Sequence, residues 1–463
     1  MVESSRKLLK ALVIVLCICV VVLIVLCLAY ISKSKKEKDS GKGSTKSVVS
    51  EEGANSEEES SSETDEEIFT TKDMTRPEDK EQKDETSSQT DVSSQAETPA
   101  VTDDSSEAEG NEEESDYSRR AELLLENMST HEKICQMFIV TPEQLTGYSL
   151  VTQASDTTRS SIRENPVGGV IYFAQNLESY EQTKQMITDT QRYSKELTGI
   201  PMFISVDEEG GTVARCADNI GTTAYDDMYT DKDMRADEAY QNAKTIAEDL
   251  NALGFNLDFA PVADTWSNSE NTVIGYRAYS NDFEQTAELV ASAVKGFNDG
   301  GVFCTLKHFP GHGDTATDSH YGAAITYKSI YDIEEQEYLA FEKGIEAGAD
   351  MVMVGHITVN WLDSIPASLS YTVITGELRN KLGYDGIIIT DSMQMGAITN
   401  NYSSGEMAVK TVLAGTDIIL MPADLDAAIS ALEAAVEDGT ISEERINESV
   451  KRILELKLRK YDF

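Results

Sequence analysis

The chain has 463 residues and a formal net charge of −43, from 39 Lys and Arg against 82 Asp and Glu. Such an acidic chain repels phosphate backbones, which argues against nucleic-acid binding. The length allows one large domain or two to three small ones. Three of the six cysteines fall within one apolar run near the N-terminus. The others, Cys135, Cys216 and Cys304, are too widely spaced to indicate a disulfide framework or a zinc site.

The apolar run Ala11–Ile31 predicts a transmembrane helix. It is uncharged and 21 residues long, about the length that spans the hydrocarbon core of a bilayer. A cleavable signal peptide has a shorter apolar region and a small-x-small site at its end, and neither is evident. Lipid modification of Cys27 is disfavoured because bulky Leu26 precedes it, where a small residue is required. We therefore predict that residues 1–31 form a cytoplasmic tip and an uncleaved, single-pass signal anchor.

Residues 32–116 are rich in Ser, Thr, Glu and Asp and predict a disordered acidic linker. Within them, residues 51–116 hold 25 Asp and Glu against four Lys and Arg. Such a segment cannot bury enough apolar surface to offset its chain entropy. A solubilising tail or a phosphorylated regulatory region is an alternative. The basic residues on the two flanks of the apolar run nearly balance, so charge alone does not set its orientation. We place the bulk of the chain outside the cell because the linker is similar to an extracellular stalk.

Residues 117–463 show the pattern of one α/β domain. A capping box, Ser129 to Glu132, predicts the start of a helix before Ile134, Met137 and Phe138. Short apolar runs then alternate with stretches at helical spacing, which favours a parallel sheet with helical crossovers. Seven runs are clear: 170–173, 202–206, 257–262, 302–306, 351–354, 387–390 and 418–421. Seven or eight such units favour a single (β/α)8 TIM-type barrel over an open doubly wound sheet.

Polar residues repeatedly follow these runs. They are Asp207 with the two glutamates after it, Asp264, Lys307 with His308, His356 and Asp391. In a barrel the carboxyl ends of the strands meet at one face, where functional sites are built. These side chains, although distant in sequence, are therefore expected to surround one pocket.

Zinc is the first alternative for the histidines after the strands. Residues 307–314 (KHFPGHGD) lack the His-x-x-x-His spacing of a helix-borne site and an adjacent Cys pair. Lys307, beside His308 and close to His312, would also oppose a dication. We predict neither a metal nor a cofactor.

Two groups have the character of reactive residues. Asp318 lies two residues before His320 in a Gly-rich stretch, so the carboxylate could orient the imidazole and make it a proton carrier near neutral pH. Asp391 ends the apolar run 387–390 and would be held rigidly while facing the pocket. A carboxylate so placed is a candidate nucleophile at an anomeric carbon.

With these residues in view, the region from about residue 120 onward resembles family 3 glycoside hydrolases, in the β-N-acetylhexosaminidase branch. The most specific motif is KHFPGHGD (307–314) followed by DSH (318–320). Supporting motifs are MSTHEKICQM (128–137), GGVIYF (168–173), DEEGGTVAR (207–215), APVAD (260–264), IGYR (274–277), PASLS (366–370), TDSM (390–393) and GTDIILMP (415–422).

This resemblance implies a role for each matching position. Asp391 matches the nucleophile, and His320 matches the acid/base, paired with Asp318. The positions that match the sugar-holding residues of the −1 subsite are Asp207, Arg215, Arg277, Lys307 and His308. The implied reaction is hydrolysis of terminal β-linked N-acetylglucosamine with retention, through a glycosyl-Asp391 intermediate.

The chain departs from the family pattern at two positions. Glu208 stands where Gln is usual, and Thr212 where Arg is common. Nothing after the barrel resembles the second domain that many members carry, so the histidine of the loop is expected to supply the proton. A β-glucosidase or β-xylosidase of the same fold, which lacks the DSH loop, is the nearest alternative. A non-catalytic wall-binding protein on this scaffold is another.

The resemblance and the anchor together lead to expectations about partners and location. We expect a substrate containing N-acetylglucosamine, either peptidoglycan fragments or chito-oligosaccharides. We expect a monomer, attached to the cell membrane by its N-terminal helix, with its catalytic domain outside the cell and acting in cell-wall glycan turnover.

Overall fold

The computed structural model describes residues 105–230, 233–315, 322, 324–461 and 463. The predicted transmembrane segment, most of the predicted linker, and both Asp318 and His320 lie outside the described residues. Within the part of the chain that is described, no helix is long and apolar enough to cross a bilayer.

Eight parallel strands form the core of the domain. They are β1 (Phe138–Val140), β2 (Gly169–Ile171), β3 (Phe203–Val206), β4 (Leu257–Asp258), β5 (Phe303–Phe309), β6 (Met351–Val354), β7 (Ile387–Thr390) and β8 (Ile419–Leu420). Neighbours pair in the order β7-β6-β5-β4-β3-β2-β1-β8. A parallel bridge from Ile389 to Ile418 joins the two ends, so the sheet closes. The predicted (β/α)8 barrel is confirmed.

The seven apolar runs each contribute a strand, and the eighth strand is β1. Its three residues directly follow a short helix, and their apolar side chains continue the helical spacing of Ile134 and Met137. Periodicity therefore assigns Phe138 to a helix. These residues nevertheless form a strand, because they pair with β8 on one side and with β2 on the other. Phe138 is in register with Ile419, and Ile139 with both Leu420 and Gly169.

Helices surround the barrel. They are α1 (Ser105–Glu126), α2 (Thr130–Gln136), α3 (Pro142–Thr146), α4 (Asp156–Glu164), α5 (Tyr180–Thr198), α6 (Arg215–Ile220), α7 (Ala236–Leu253), α8 (Phe283–Gly300), α9 (Ile330–Asp332), α10 (Tyr338–Glu346), α11 (Gly396–Thr399), α12 (Ser404–Ala414), α13 (Leu425–Glu437) and α14 (Glu443–Lys460). Single 3₁₀ turns cover Ala174–Asn176, Met228–Thr230, Gly275–Arg277 and Ala367–Leu369, and π-helical turns cover Ile333–Glu337 and Thr372–Lys381.

Helix α8 illustrates how sequence determines these crossovers. The Asp282 side chain accepts from the backbone N–H of Gln285 at the start, and Gly301 ends the helix with φ at 79°. Its buried face repeats at helical spacing, as the sequence predicts, and consists of Leu289, Val290, Ala293, Val294 and Phe297. The capping box predicted at Ser129 and Glu132 is also confirmed, at the start of α2.

The first and last helices pack against each other. Helix α1 begins at Ser105, before the predicted domain boundary at residue 117, because Glu and Ala in its first half are good helix formers.

In α14 the ammonium of Lys457 is buried and donates to the side chain of Gln136 (2.8 Å) and the carbonyl of Gly168 (2.9 Å). Burial lowers the pKa of Lys457 to about 7.

Candidate active site

A cavity of about 430 Å³ opens at the carboxyl end of the barrel strands. Its polar lining consists of Asp207, Glu209, Arg215, Arg277, Lys307, His308, His312, Asp391, Ser392 and Gln394. The apolar lining consists of Ile171, Phe173, Val213, Val273, Met353, Met395, Leu420 and Met421. The cavity therefore occupies the place where barrel folds collect functional residues.

Strand β5 supplies two consecutive side chains to the cavity, Lys307 and His308. Successive residues of a regular strand point to opposite faces. Here the register against β6 shifts between Leu306 and Phe309, so the two residues in between depart from strict alternation. Both side chains are buried, and both line the cavity.

An ionic network of Asp207, Glu209, Arg277 and Lys307 forms one wall of the cavity. The ammonium of Lys307 lies 2.8 Å from Asp207 Oδ1 and 2.5 Å from Glu209 Oε1. Arg277 donates to both oxygens of Glu209, each at 2.8 Å, a bidentate arrangement. Burial alone would raise the pKa of Glu209, but Arg277 and Lys307 hold it far below its usual value. Burial would lower the pKa of Lys307, and Asp207 and Glu209 instead raise it. Glu209 and Lys307 therefore both carry their charges at neutral pH.

A glycine turn brings Arg215 to the same wall. Strand Glu208–Gly210 turns back as Val213–Ala214, with φ of 85° at Gly210 and 60° at Gly211. A side chain at Gly211 would meet the backbone of Asp227, with its Cβ 2.5 Å from the Cα of that residue. Arg215 follows the ribbon directly, and its buried Nε has no partner among the described residues. Its guanidinium is thus held at the cavity and available to a ligand.

The two departures from the family pattern occupy different environments. Thr212 is exposed at the ribbon turn and does not line the cavity. Glu208 is buried beneath the ribbon and accepts from the backbone N–H groups of Cys216 (2.6 Å) and Ala217 (3.0 Å) at the start of α6. Burial raises the pKa of Glu208 to about 7, so near neutral pH it is partly uncharged, as a glutamine would be.

Asp264 orients the two histidines of the KHFPGHG segment. It is fully buried, and its Oδ2 lies 2.6 Å from Nδ1 of His308. Its Oδ1 accepts from the backbone N–H of His312 at 2.6 Å. Burial would raise the pKa of Asp264, but His308 keeps it lowered. The anion therefore holds the proton of His308 on Nδ1 and leaves Nε2 for the cavity.

Asp391 lies directly after β7 and lines the cavity, but it takes no part in the ionic network. Its Oδ1 accepts from the backbone N–H of Ser392 at 2.7 Å, and no described residue donates to its Oδ2. Burial would raise the pKa of Asp391, but nearby His308 and His356 hold it below its usual value. This carboxylate is thus ionised and lines the cavity, and one of its oxygens accepts no hydrogen bond from the described residues.

His356 supports the backbone beside Asp391. Its Nε2 lies 2.9 Å from the carbonyl of Ser392, so this nitrogen carries the proton. Its Nδ1 then accepts from the hydroxyl of Ser368 at 2.7 Å. His356 is buried and lies outside the cavity lining, so it acts by positioning.

The described structure brings together six of the eight predicted site residues: Asp207, Arg215, Arg277, Lys307, His308 and Asp391 all line one cavity. The other two, Asp318 and His320, lie outside the described residues. Sequence reasoning expected Glu209, Asp264 and His356 around the pocket but gave them no role, and it did not place His312 there. Glu209 and His312 line the cavity, whereas Asp264 and His356 lie behind its lining. Among the described residues, no three His, Cys, Asp or Glu side chains are grouped so that they could hold a metal ion.

Comparisons with known proteins agree with this geometry. Residues 129–456 match the model of the glycosyl hydrolase family 3 N-terminal domain. A protein named beta-hexosaminidase A from Pseudoalteromonas piscicida is 33% identical over 319 residues, which cover 63% of this chain and 53% of that protein. A beta-hexosaminidase from Stenotrophomonas maltophilia (strain K279a) is 31% identical over 297 residues, covering 61% of this chain and 84% of that protein.

A solved structure is also similar, that of a family 3 β-N-acetylglucosaminidase from Paenibacillus sp. str. FPU-7. It superposes with a TM-score of 0.68 at 40% identity, over 72% of this chain and 63% of that chain. This chain therefore spans only about half to two thirds of the length of some of its relatives. The family match covers most of the chain, and the chain belongs to glycosyl hydrolase family 3.

Proposed function

We propose that this protein is a retaining exo-β-N-acetylhexosaminidase that removes terminal β-linked N-acetylglucosamine. The observation that carries the proposal is the ionised Asp391, which lines the cavity and has one oxygen that no described residue donates to. A glycosidase nucleophile needs these properties, since it must be deprotonated and must approach an anomeric carbon. The names of the similar proteins support N-acetylhexosamine as the sugar.

The ionic network would hold the sugar ring. Asp207 accepts from sugar hydroxyls, and Lys307 donates to them through charge-assisted hydrogen bonds. Arg277 and Arg215 extend the row of donors along the same wall. Since Glu209 fixes both Arg277 and Lys307, these donors are preorganised and lose little side-chain freedom on binding.

The reaction would proceed by double displacement. Asp391 Oδ2 attacks the anomeric carbon as the glycosidic bond breaks, and His320 protonates the leaving oxygen. His320, oriented by Asp318, then takes a proton from water, which attacks the same carbon and releases Asp391. Two inversions give overall retention. A neutral base beside an anionic nucleophile could also admit anionic acceptors such as phosphate in the second step.

The location and natural substrate form the second part of the proposal. The predicted anchor at residues 1–31 would tether a monomeric catalytic domain to the outer face of the cell membrane. The predicted acidic linker, residues 32–116, would carry the domain to nearby glycan. This arrangement favours peptidoglycan fragments in wall turnover, with chito-oligosaccharides as the alternative substrate.

Release of p-nitrophenol from its N-acetyl-β-glucosaminide, β-glucoside and β-xyloside tests the activity. The full-length chain is expected to cleave the N-acetyl-β-glucosaminide and to leave the β-glucoside almost untouched. Cleavage of the glucoside or the xyloside alone would instead identify the alternative activity on this fold. Absence of cleavage of any glycoside would favour a wall-binding role. NMR of the first-formed anomer tests retention, since an α-anomeric product would contradict it.

A further inference from the structure

Exposed aromatic side chains concentrate in the segments that follow β5 and β6. The described structure has ten large hydrophobic residues in exposed positions, and half lie between residues 325 and 371. Three of them lie on or directly after two paired segments: Ile325 (38% exposed), Tyr327 (70%) and Trp361 (67%). We call these three residues the aromatic platform. Exposed apolar surface concentrated in this way is typical of binding sites.

Two short strands hold the platform in place. Ala324–Thr326 pairs in parallel with Ile357–Val359, and the pairing continues through the N–H of Asn360, which donates to the carbonyl of Thr326. The indole N–H of Trp361 donates to the carbonyl of Tyr327 at 3.1 Å. The indole is therefore fixed while its surface stays in solvent. A preorganised aromatic surface of this kind binds a ligand with little further loss of side-chain entropy.

A short stretch of chain joins the platform to residues that support the active site. Its second strand begins one residue after His356, which holds the backbone next to Asp391. From Ile357 to Trp361 the chain can span at most about 13 Å, since an extended residue covers roughly 3.3 Å. The first strand begins soon after residue 320. Trp361 therefore lies within about 13 Å of Ile357 and at the same end of the barrel as the cavity, although no platform residue lines the cavity itself.

Charge and chemistry identify the occupant. Residues 324–371 hold eight Asp and Glu against two Lys and Arg, which disfavours an anionic membrane surface or an acidic polymer. A neutral pyranose has apolar C–H faces that can stack on an aromatic ring, and its hydroxyls remain hydrated. We propose that the aromatic platform is a distal subsite for a further N-acetylhexosamine unit on the leaving-group side of a glycan. This proposal rests on the proposed function for the direction of the chain.

Binding of chitotetraose and chitobiose to the full-length chain tests the platform. Asp391→Asn is introduced throughout so that the sugars are not cleaved during isothermal titration. Adding Trp361→Ala should weaken tetraose binding about fivefold, the scale of one lost aromatic contact. Disaccharide binding should not change, because that ligand is too short to reach the platform. Trp361→Phe should retain most of the affinity, and Leu413→Ala, an exposed side chain on α12, should retain all of it.

Three outcomes would overturn the platform. They are unchanged tetraose affinity in the Trp361→Ala variant, an equal loss for both sugars, and an equal loss in the Phe and Ala variants. Unchanged sugar affinity with weaker binding to phosphatidylglycerol vesicles would identify a membrane contact instead. The two proposals can fail separately. Cleavage of the p-nitrophenyl glycoside without Trp361-dependent binding would contradict the proposed subsite alone. Trp361-dependent binding without cleavage would contradict the proposed activity alone.

Discussion

Glu209, which is buried, and Asp391, which is partly buried, are carboxylates of one cavity, and the protein surrounds them differently. Glu209 is engaged by three donor groups of Arg277 and Lys307, so both of its oxygens are occupied. Among the described residues Asp391 has one backbone donor, and nearby His308 and His356 hold its pKa below the usual value. The first arrangement fixes cations in space, whereas the second leaves a lone pair available. The number of donors that each carboxylate receives therefore supports a positioning role for Glu209 and the proposed reactive role for Asp391.

Replacing Asp391 is expected to give the largest change in activity. Asp391→Asn removes the anion but keeps the shape, so kcat for the N-acetyl-β-glucosaminide should fall on the order of 10⁴-fold. Stability in urea should change little. Asp385→Asn, an exposed carboxylate just before β7, is the matched control and should retain wild-type kcat. A near wild-type rate for Asp391→Asn would show that another group forms the covalent bond.

Replacing Glu209 should produce the opposite profile. Glu209→Gln leaves Arg277 and Lys307 without their shared buried anion, so the free energy of unfolding should fall by about 3 to 5 kcal/mol. Urea denaturation followed by circular dichroism measures this. Among molecules that remain folded, KM should rise more than kcat falls, because Arg277 and Lys307, the donors proposed to hold the sugar, lose their support. An unchanged urea midpoint would contradict the positioning role.

Glu208, between Asp207 and Glu209, is a third carboxylate to compare with Glu209 and Asp391. It accepts hydrogen bonds from two backbone N–H groups and forms no ion pair with a described residue. Its pKa is raised to about 7 in the folded chain, above an ordinary value of 4.5. The folded state therefore binds the proton more tightly, and stability falls as pH rises between 4.5 and 7, by up to about 3 kcal/mol. Glu208→Gln removes this loss. The free energy of unfolding of the variant, minus that of wild type, should therefore be larger at pH 8.5 than at pH 5. A difference independent of pH would refute the titration.

Thr212 should give the smallest effect, since it lies outside both environments. Its side chain is exposed at the ribbon turn. Thr212→Arg, which restores the residue common in the family, should change stability by no more than about 0.5 kcal/mol. Steady-state kinetics should show KM and kcat within twofold of wild type. A large change in KM would mean that the ribbon moves to contact the substrate.

The sequence predicted the barrel well because seven of its strands are apolar on both faces and stand clear of their neighbours. Strand β1 was missed because its register with β8 and β2 is a long-range property that local periodicity does not contain. For the site, position after a strand was sufficient to bring Asp207, Lys307 and Asp391 together. It was not sufficient to rank Glu209 or Asp264, whose importance depends on partners from other strands.

The three cysteines of the barrel have a practical consequence. Cys135, Cys216 and Cys304 are buried free thiols in α2, α6 and β5, and burial raises the pKa of each. A protonated, inaccessible thiol does not react with alkylating reagents until its surroundings open. Mass spectrometry of labelled peptides would therefore time the opening of each region separately. Cys216 reports on the ribbon beside the cavity, and Cys304 reports on the strand that carries Lys307 and His308.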